Sequence, residues 1–167
     1  MTSKRPFRRT VFCFLLVAGA GLALTALAAV VETDRQAAQP SKSQVVRQDE
    51  TKVTRGEWGH MLHYFAGESQ GTRDVLVAVA TVEPGKAVHR AHRHSMEEYL
   101  MLLEGAGVWS LDGKEIPAKA GDVLYVEPWI YHGLTNTGDK ALRFAVVRYT
   151  SKGVAPPSRP DERPDEL

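Results

Sequence analysis

Residues 89–100 read HRAHRHSMEEYL, a stretch in which three histidines are followed by two adjacent carboxylates. On an extended strand, side chains two residues apart point to the same face, so His92 and His94 would project together. His89 has the other parity and is expected to point away from them. Because two arginines separate the histidines, the stretch taken alone is also typical of a polar surface loop.

The two carboxylates of this stretch have opposite parity. Glu98 shares its parity with Leu100 and Leu102, whose side chains suit a buried face, whereas Glu97 is expected to face solvent. His92, His94 and Glu98 are therefore the candidates for one inward-facing cluster, and evidence from elsewhere in the chain has to decide between a metal site and a charged loop.

The sequence around this stretch predicts an all-β domain. Nine short apolar runs between residues 53 and 149 are separated by turn residues, and no long run has helical periodicity. Asp112-Gly113, which lies between two short apolar runs, is the clearest hairpin pattern. Several short strands with regularly spaced turns indicate an antiparallel barrel or sandwich.

A second histidine-bearing segment, GDVLYVEPWIYHGLTN at residues 121–136, supports the metal hypothesis. It places His132 in an otherwise apolar strand, with Ile130 and Leu134 on the same face. A lone histidine of this kind is usually a hydrogen-bonded core residue. Its position after a glycine turn and four residues before Asn136 makes it a candidate ligand.

Together the two segments resemble the two signature motifs of the cupin superfamily. The residues that carry the first motif are Gly85, His92-Arg93-His94, Glu98 and Gly105; those of the second are Gly121, His132 and Asn136. The resemblance covers about residues 52–150, which are taken as the cupin domain. It implies a double-stranded β-helix, the jelly-roll barrel of cupins.

The same resemblance implies that His92, His94, Glu98 and His132 converge on one divalent metal inside the barrel. Three imidazoles and one carboxylate suit a transition metal, namely Mn, Fe, Co, Ni, Cu or Zn, better than Ca or Mg. Four protein ligands would leave coordination positions open for a small molecule, as catalytic metal sites require.

Two departures from the cupin pattern affect turns rather than ligands. Gly85 lies one residue too far from His92, and Glu127 and Trp129 replace the usual proline and glycine of the second motif. Glu127 and Trp129 would therefore lie near the mouth of the cavity. The other aromatic side chains are expected to pack the barrel, and Tyr125 is kept as a candidate acid or base.

The first 31 residues are typical of a signal peptide or an amino-terminal membrane anchor. Four basic residues precede an uncharged run of 21 residues, 11–31, which contains Ala26-Leu27-Ala28 and is just long enough to span a bilayer. The barrel is therefore expected to be exported, in the periplasm or outside the cell, or anchored to the membrane by residues 11–31. The only cysteine, Cys13, lies in this segment, so the domain itself cannot contain a disulfide.

The remaining segments are predicted to lack regular structure. Residues 32–51 are polar and form a linker, and residues 151–167 form a proline-rich tail that is expected to be disordered. Without residues 1–31 the chain would have 17 Lys and Arg against 20 Asp and Glu, a net charge of about −3. This mildly acidic balance excludes the concentrated basic face of nucleic-acid binders.

The sequence leaves two functions open. One is an exported metal-dependent enzyme that acts on a small oxygen-rich molecule, and by resemblance its reaction could be that of a dioxygenase, decarboxylase, lyase or isomerase. The other is a non-catalytic module that binds a small molecule or sugar. A homodimer is expected because edge strands of such barrels often pair between subunits.

Overall fold

A computed structural model describes residues 42–167 of the chain. The predicted signal peptide or anchor at residues 1–31 lies outside this range, as does the first half of the predicted linker 32–51. The described part of the linker contains one turn of 3-10 helix, Gln48–Glu50. Within residues 42–167, no helix has both the length and the apolar character needed to cross a membrane.

Nine β-strands follow, which confirms the predicted all-β class. They are β1 (Lys52–Gly56), β2 (Gly59–Gly67), β3 (Thr72–Val82), β4 (Glu97–Glu104), β5 (Ala106–Leu111), β6 (Lys114–Lys119), β7 (Val123–Val126), β8 (His132–Thr135) and β9 (Leu142–Ser151).

The strands form two antiparallel sheets. One contains six strands in the order β1-β2-β3-β9-β4-β7, and the other contains three in the order β6-β5-β8. The predicted hairpin joins β5 to β6: Leu111 pairs with Lys114, and Asp112 and Gly113 both have positive φ (49° and 74°). Positive φ at both central residues is what a two-residue type I′ turn requires.

A single hydrophobic cluster joins the two sheets, which therefore pack face to face as a jelly-roll barrel. Burial alternates along β4, so Glu98, Leu100 and Leu102 point inward while the residues between them are exposed. Strand β9 alternates in the same way, and its Leu142, Phe144 and Val146 are buried. The barrel thus places Glu98 on an inner wall that is otherwise apolar.

The carboxyl-terminal tail departs from the predicted disorder. Residues 157–167, here named the C-terminal strap, run across the loop that carries the two histidines of the first motif. The backbone N–H of Arg93 donates to the Asp165 carbonyl (2.8 Å), and that of Leu167 donates to the Ala91 carbonyl (2.9 Å). The strap bends at residues 161–163 and 165 rather than forming a regular strand, but it is hydrogen-bonded to the barrel.

A buried arginine anchors the strap. The Arg93 side chain is fully buried and pairs with the Asp161 carboxylate at 2.8 Å. Its guanidinium also donates to the Arg163 carbonyl (2.5 Å) and lies over the Tyr131 ring, 4.8 Å from the centroid. Proline content alone did not indicate these contacts, because the partner of the tail is a charge almost 70 residues earlier in the chain.

Candidate metal centre

Two segments of backbone bring the motif histidines together. The loop between β3 and β4 carries His92 and His94, and β8 begins at His132. The N–H of His92 donates to the His132 carbonyl (3.0 Å), and the N–H of His132 donates to the His92 carbonyl (2.8 Å). This reciprocal pair fixes the two histidines side by side, with ring centroids 4.5 Å apart.

The structure gathers all four predicted ligands into one cluster. His92, His94, Glu98 and His132 each offer one ligand atom, and these atoms all lie within 4.8 Å of one another. The metal–ligand bonds of such residues are about 2.0–2.2 Å long, so atoms on opposite sides of a metal lie about 4 Å apart. The four side chains therefore surround a space that one metal ion fits with little adjustment.

Hydrogen bonds orient two of the imidazoles towards this space. His94 Nδ1 donates to the Met96 carbonyl (3.1 Å), and His132 Nδ1 donates to the Ile130 carbonyl (2.9 Å). Each ring then directs Nε2 at the Glu98 carboxylate, at 2.7 and 3.0 Å respectively. Metal-binding histidines are commonly held by a backbone carbonyl on the second ring nitrogen, because that bond selects the tautomer with a free lone pair.

The arrangement around Glu98 needs positive charge. With Nδ1 occupied as a donor, a neutral ring presents only the lone pair of Nε2, and two such lone pairs facing a carboxylate oxygen repel it. The geometry is stable if both rings carry a second proton or if a cation lies among the three groups. A divalent metal meets this requirement with the histidines neutral, the form in which they bind metals.

The ionisation of the cluster also suits a cation. Burial lowers the pKa of His92 to about 3, and the nearby positive charges of His89, His132 and His94 add to this effect. Burial alone would raise the pKa of Glu98, but hydrogen bonds from His132 and His94 hold it well below its usual range. A neutral His92 and an ionised Glu98 are the protonation states that metal coordination requires.

One polar atom of the cluster has no partner among the described residues. His92 Nδ1 is buried and makes no hydrogen bond there, which is costly for a buried nitrogen. A set of three imidazoles and one carboxylate is also the ligand chemistry of transition metals rather than of Ca or Mg. The residues present therefore fit a transition metal.

The cluster lies at one side of a cavity of about 160 Å³. Seven of the thirteen lining residues are large and apolar: Met61, Leu76, Val88, Leu100, Leu134, Phe144 and Val146. The polar lining side chains are those of His89, His92, Glu98, His132 and Arg148. The site thus combines a mostly apolar wall with a few convergent polar groups, as small-molecule sites do.

His89 and Arg148 lie in this cavity although the sequence did not single them out as site residues. His89 was expected to point away, but its ring contacts that of His92 edge to face, with centroids 3.9 Å apart and an interplanar angle of 65°. The parity argument failed because residues 83–96 form turns and isolated bridges rather than a regular strand. Arg148 could have been found as a charged residue with the inward parity of Phe144 and Val146.

The structure does not bring Tyr125 to the site, which corrects its candidacy as an acid or base. Tyr125 is 46% exposed on the outer face of β7, and its hydroxyl donates to Glu97 (3.2 Å). Its neighbours Leu124 and Val126 occupy the inward positions of that strand. Burial and Glu97 raise the pKa of Tyr125, but the group faces away from the cavity.

Glu127 and Trp129 do not border the cavity as expected. Glu127 is exposed, and Trp129 instead ties two segments together. The Trp129 N–H donates to the His94 carbonyl (2.7 Å), and its indole N–H donates to the Pro157 carbonyl of the C-terminal strap (2.7 Å). Trp129 adopts a φ of 69°, the left-handed conformation that explains why cupins favour glycine there.

Comparisons with known proteins agree with the motif reading. The family model described as the cupin domain matches residues 78–148, a range that contains all four candidate ligands. An oxalate-binding protein of Thermotoga maritima is 35% identical over 88 residues, which cover 52% of this chain and 72% of that protein.

Two further proteins have similar sequence or structure. The dimethylsulfoniopropionate lyase DddW of Ruegeria pomeroyi is 35% identical over 97 residues, which cover 57% of this chain and 60% of that protein. The crystal structure of a predicted oxalate decarboxylase of Thermotoga maritima aligns with a TM-score of 0.57 and 29% identity, over 64% of this chain and 99% of the other. On the motif spacing, the barrel topology and these matches, the chain belongs to the cupin superfamily.

Proposed function

We propose that this chain is an exported cupin that binds one divalent transition metal and acts on a small oxygen-rich molecule at that metal. The observation that carries the proposal is the convergence of His92, His94, Glu98 and His132 within 4.8 Å at the side of a mostly apolar cavity. A metal held there would supply a Lewis acid with open coordination positions. Mn, Fe, Co, Ni, Cu and Zn all suit these ligands.

The protein residues would bind and orient the small molecule. The apolar wall formed by Leu100, Phe144 and Val146 excludes water from one side of it. His89, which is exposed and contacts the His92 ring edge to face, places a second titratable group in the cavity. A group of this kind is what an enzyme needs beyond a ligand-binding site.

A substrate panel tests this proposal. The full chain, loaded in turn with each candidate metal, is mixed with small carboxylates and hydroxy acids, and product formation is followed by NMR. Turnover of one compound that EDTA and His132→Ala both abolish is the expected result. Binding of the same compound without turnover under all metals would reject the enzyme.

That second result would support a non-catalytic small-molecule-binding cupin. The observation that favours this alternative is the similarity to a protein named for binding oxalate. Sugar binding is the weaker form of the alternative, because a mostly apolar wall offers few partners for sugar hydroxyls. Calorimetry with oxalate and with monosaccharides separates the two ligand classes.

Export and dimerisation are further parts of the proposal. The basic residues before the apolar run 11–31 support export or anchoring, and amino-terminal sequencing of the protein from separated cell compartments tests it.

β7 ends the six-stranded sheet, and the outward side chains of β4 and β7 form an exposed apolar face. That face consists of Tyr99, Met101, Leu103, Val123 and Tyr125. A second copy packed on it would form the expected homodimer, which sedimentation analysis measures.

A further inference from the structure

Arg148 lies in the cavity next to the candidate metal ligands. Along β9, Phe144, Val146 and Arg148 share the inward face and line the cavity together. The strand register places Arg148 directly opposite Glu98 on β4. Opposite residues on neighbouring antiparallel strands have Cβ atoms about 4.5–5.5 Å apart. The side chain of Arg148 therefore extends from the strand next to the one that carries the candidate ligand Glu98.

Arg148 forms no ion pair with any described residue, since the Glu98 carboxylate pairs with His94 and His132. The Nε of Arg148 is buried without a hydrogen-bond partner. The Glu98 carboxylate opposite it is instead hydrogen-bonded to His94 and His132, both through Oε2. A charge placed among apolar side chains is costly unless an opposite charge pairs with it. The cavity therefore lacks one anionic partner on its arginine side.

We propose that the cavity takes a small carboxylate whose anionic group pairs with Arg148 beside the metal. A guanidinium presents its N–H groups in a fork that matches the two oxygens of a carboxylate. A cavity of about 150 Å³ holds a molecule the size of benzene, so a volume of about 160 Å³ limits the ligand to a few carbon atoms. Arg148 thus favours ligands with a negative charge, and the volume of the cavity limits the size of the ligand.

This inference rests on the proposed function, because the second contact of the carboxylate would be the metal. The contribution of Arg148 can nevertheless be measured without the metal. Glycolate and its neutral amide, glycolamide, have nearly the same size and differ in charge, so they form a matched pair of probes. Oxalate serves as the stronger probe of the metal-loaded protein.

The test compares Arg148→Met with Arg143→Met in the full chain. Methionine retains the length of the side chain without its charge, and Arg143 lies on the same strand but pairs with Glu104 on the outer surface. Calorimetry measures oxalate binding to the metal-loaded proteins and glycolate binding to the EDTA-treated proteins. Elemental analysis measures bound metal, and urea midpoints verify folding.

We expect Arg148→Met to weaken oxalate and glycolate binding by about tenfold to a hundredfold, with its metal content unchanged. Arg148→Lys should retain part of the affinity, and Arg143→Met should bind as the wild type does. Glycolamide binding should be the same in Arg148→Met and wild type.

Two results would overturn the inference. One is oxalate binding by Arg148→Met within twofold of the wild type. The other is loss of metal in Arg148→Met, which would show that the arginine acts through Glu98 rather than on a ligand. If instead the wild type binds no metal but its glycolate affinity still depends on Arg148, the carboxylate inference stands and the metal-dependent function fails.

Discussion

Replacing Arg93 with alanine is expected to detach the C-terminal strap and to lower the stability of the barrel. The substitution removes the ion pair to Asp161 at 2.8 Å and the hydrogen bond to the Arg163 carbonyl at 2.5 Å. Breaking a buried ion pair by deleting one partner costs about 3–5 kcal/mol. Asp161 remains one-third exposed and keeps Arg163 as a partner at 2.8 Å, so we expect the lower end, about 3 kcal/mol.

Urea unfolding followed by circular dichroism measures this loss. EDTA is present throughout, so that metal binding does not add to the apparent stability. For a domain of this size, about 3 kcal/mol corresponds to a fall in Tm of roughly 10 °C. Arg90→Ala is the matched control, because Arg90 lies in the same loop and is exposed. That change should stay within about 0.5 kcal/mol of the wild type.

Deleting residues 157–167 tests whether Arg93 acts through the strap. In the shortened chain Arg93 has lost its partners Asp161 and Asp165, so Arg93→Ala should cost much less there than in the full chain. A full additive loss in the double variant would show that Arg93 does not act through the strap. So would an Arg93→Ala variant as stable as Arg90→Ala, since the strap would then be held by other contacts.

Three further outcomes follow from the geometry. Tyr125→Phe should leave metal content, ligand affinity and any turnover unchanged, because its hydroxyl lies on the outer face against Glu97; a change in any of them would place this face in the mechanism. Gly107→Ala should destabilise the barrel by about 1–3 kcal/mol in urea unfolding, since the added Cβ would lie 2.3 Å from the Thr135 carbonyl oxygen. The metal-free protein should lose stability as the pH falls from about 6.5 towards 3, because the pKa of His92 is about 3 in the folded state against 6.5 when exposed. In that window the unfolded state binds the extra proton, so His92→Gln should reduce the pH dependence of the urea midpoint, and an unchanged slope would contradict the assignment.

Strand parity predicted the parts of the site that lie on regular strands. Glu98 points inward because it alternates with exposed neighbours along β4, as the apolar Leu100 and Leu102 indicated. The spacing of the cupin motifs predicted the distant His132 as the fourth ligand, and the structure has His132 at the start of β8. Tyr125 could also have been excluded by parity, since Leu124 and Val126 had to occupy the inner face of β7.

The alternation of side chains along a strand could not predict which residues face the cavity in segments that are not regular strands. His89 reaches the cavity through a turn, and the C-terminal strap depends on a contact between Arg93 and Asp161, 68 residues apart. Long-range charge pairs of this kind leave no periodic pattern in a sequence. For Arg148, the sequence could predict an inward-facing side chain from its position on β9. Its place opposite Glu98 and in the cavity lining is known only from the structure.

The proposed function depends on one divalent metal held by His92, His94, Glu98 and His132. Elemental analysis of the full chain, loaded with Mn, Fe, Co, Ni, Cu or Zn and dialysed, measures it most directly. His92→Ala and His132→Ala are compared with His89→Ala, whose ring touches His92 but is not one of the four ligands. We predict about one metal per chain in the wild type and in His89→Ala, and almost none in His92→Ala and His132→Ala. Metal below stoichiometry in the wild type that neither His92→Ala nor His132→Ala changes would contradict this prediction.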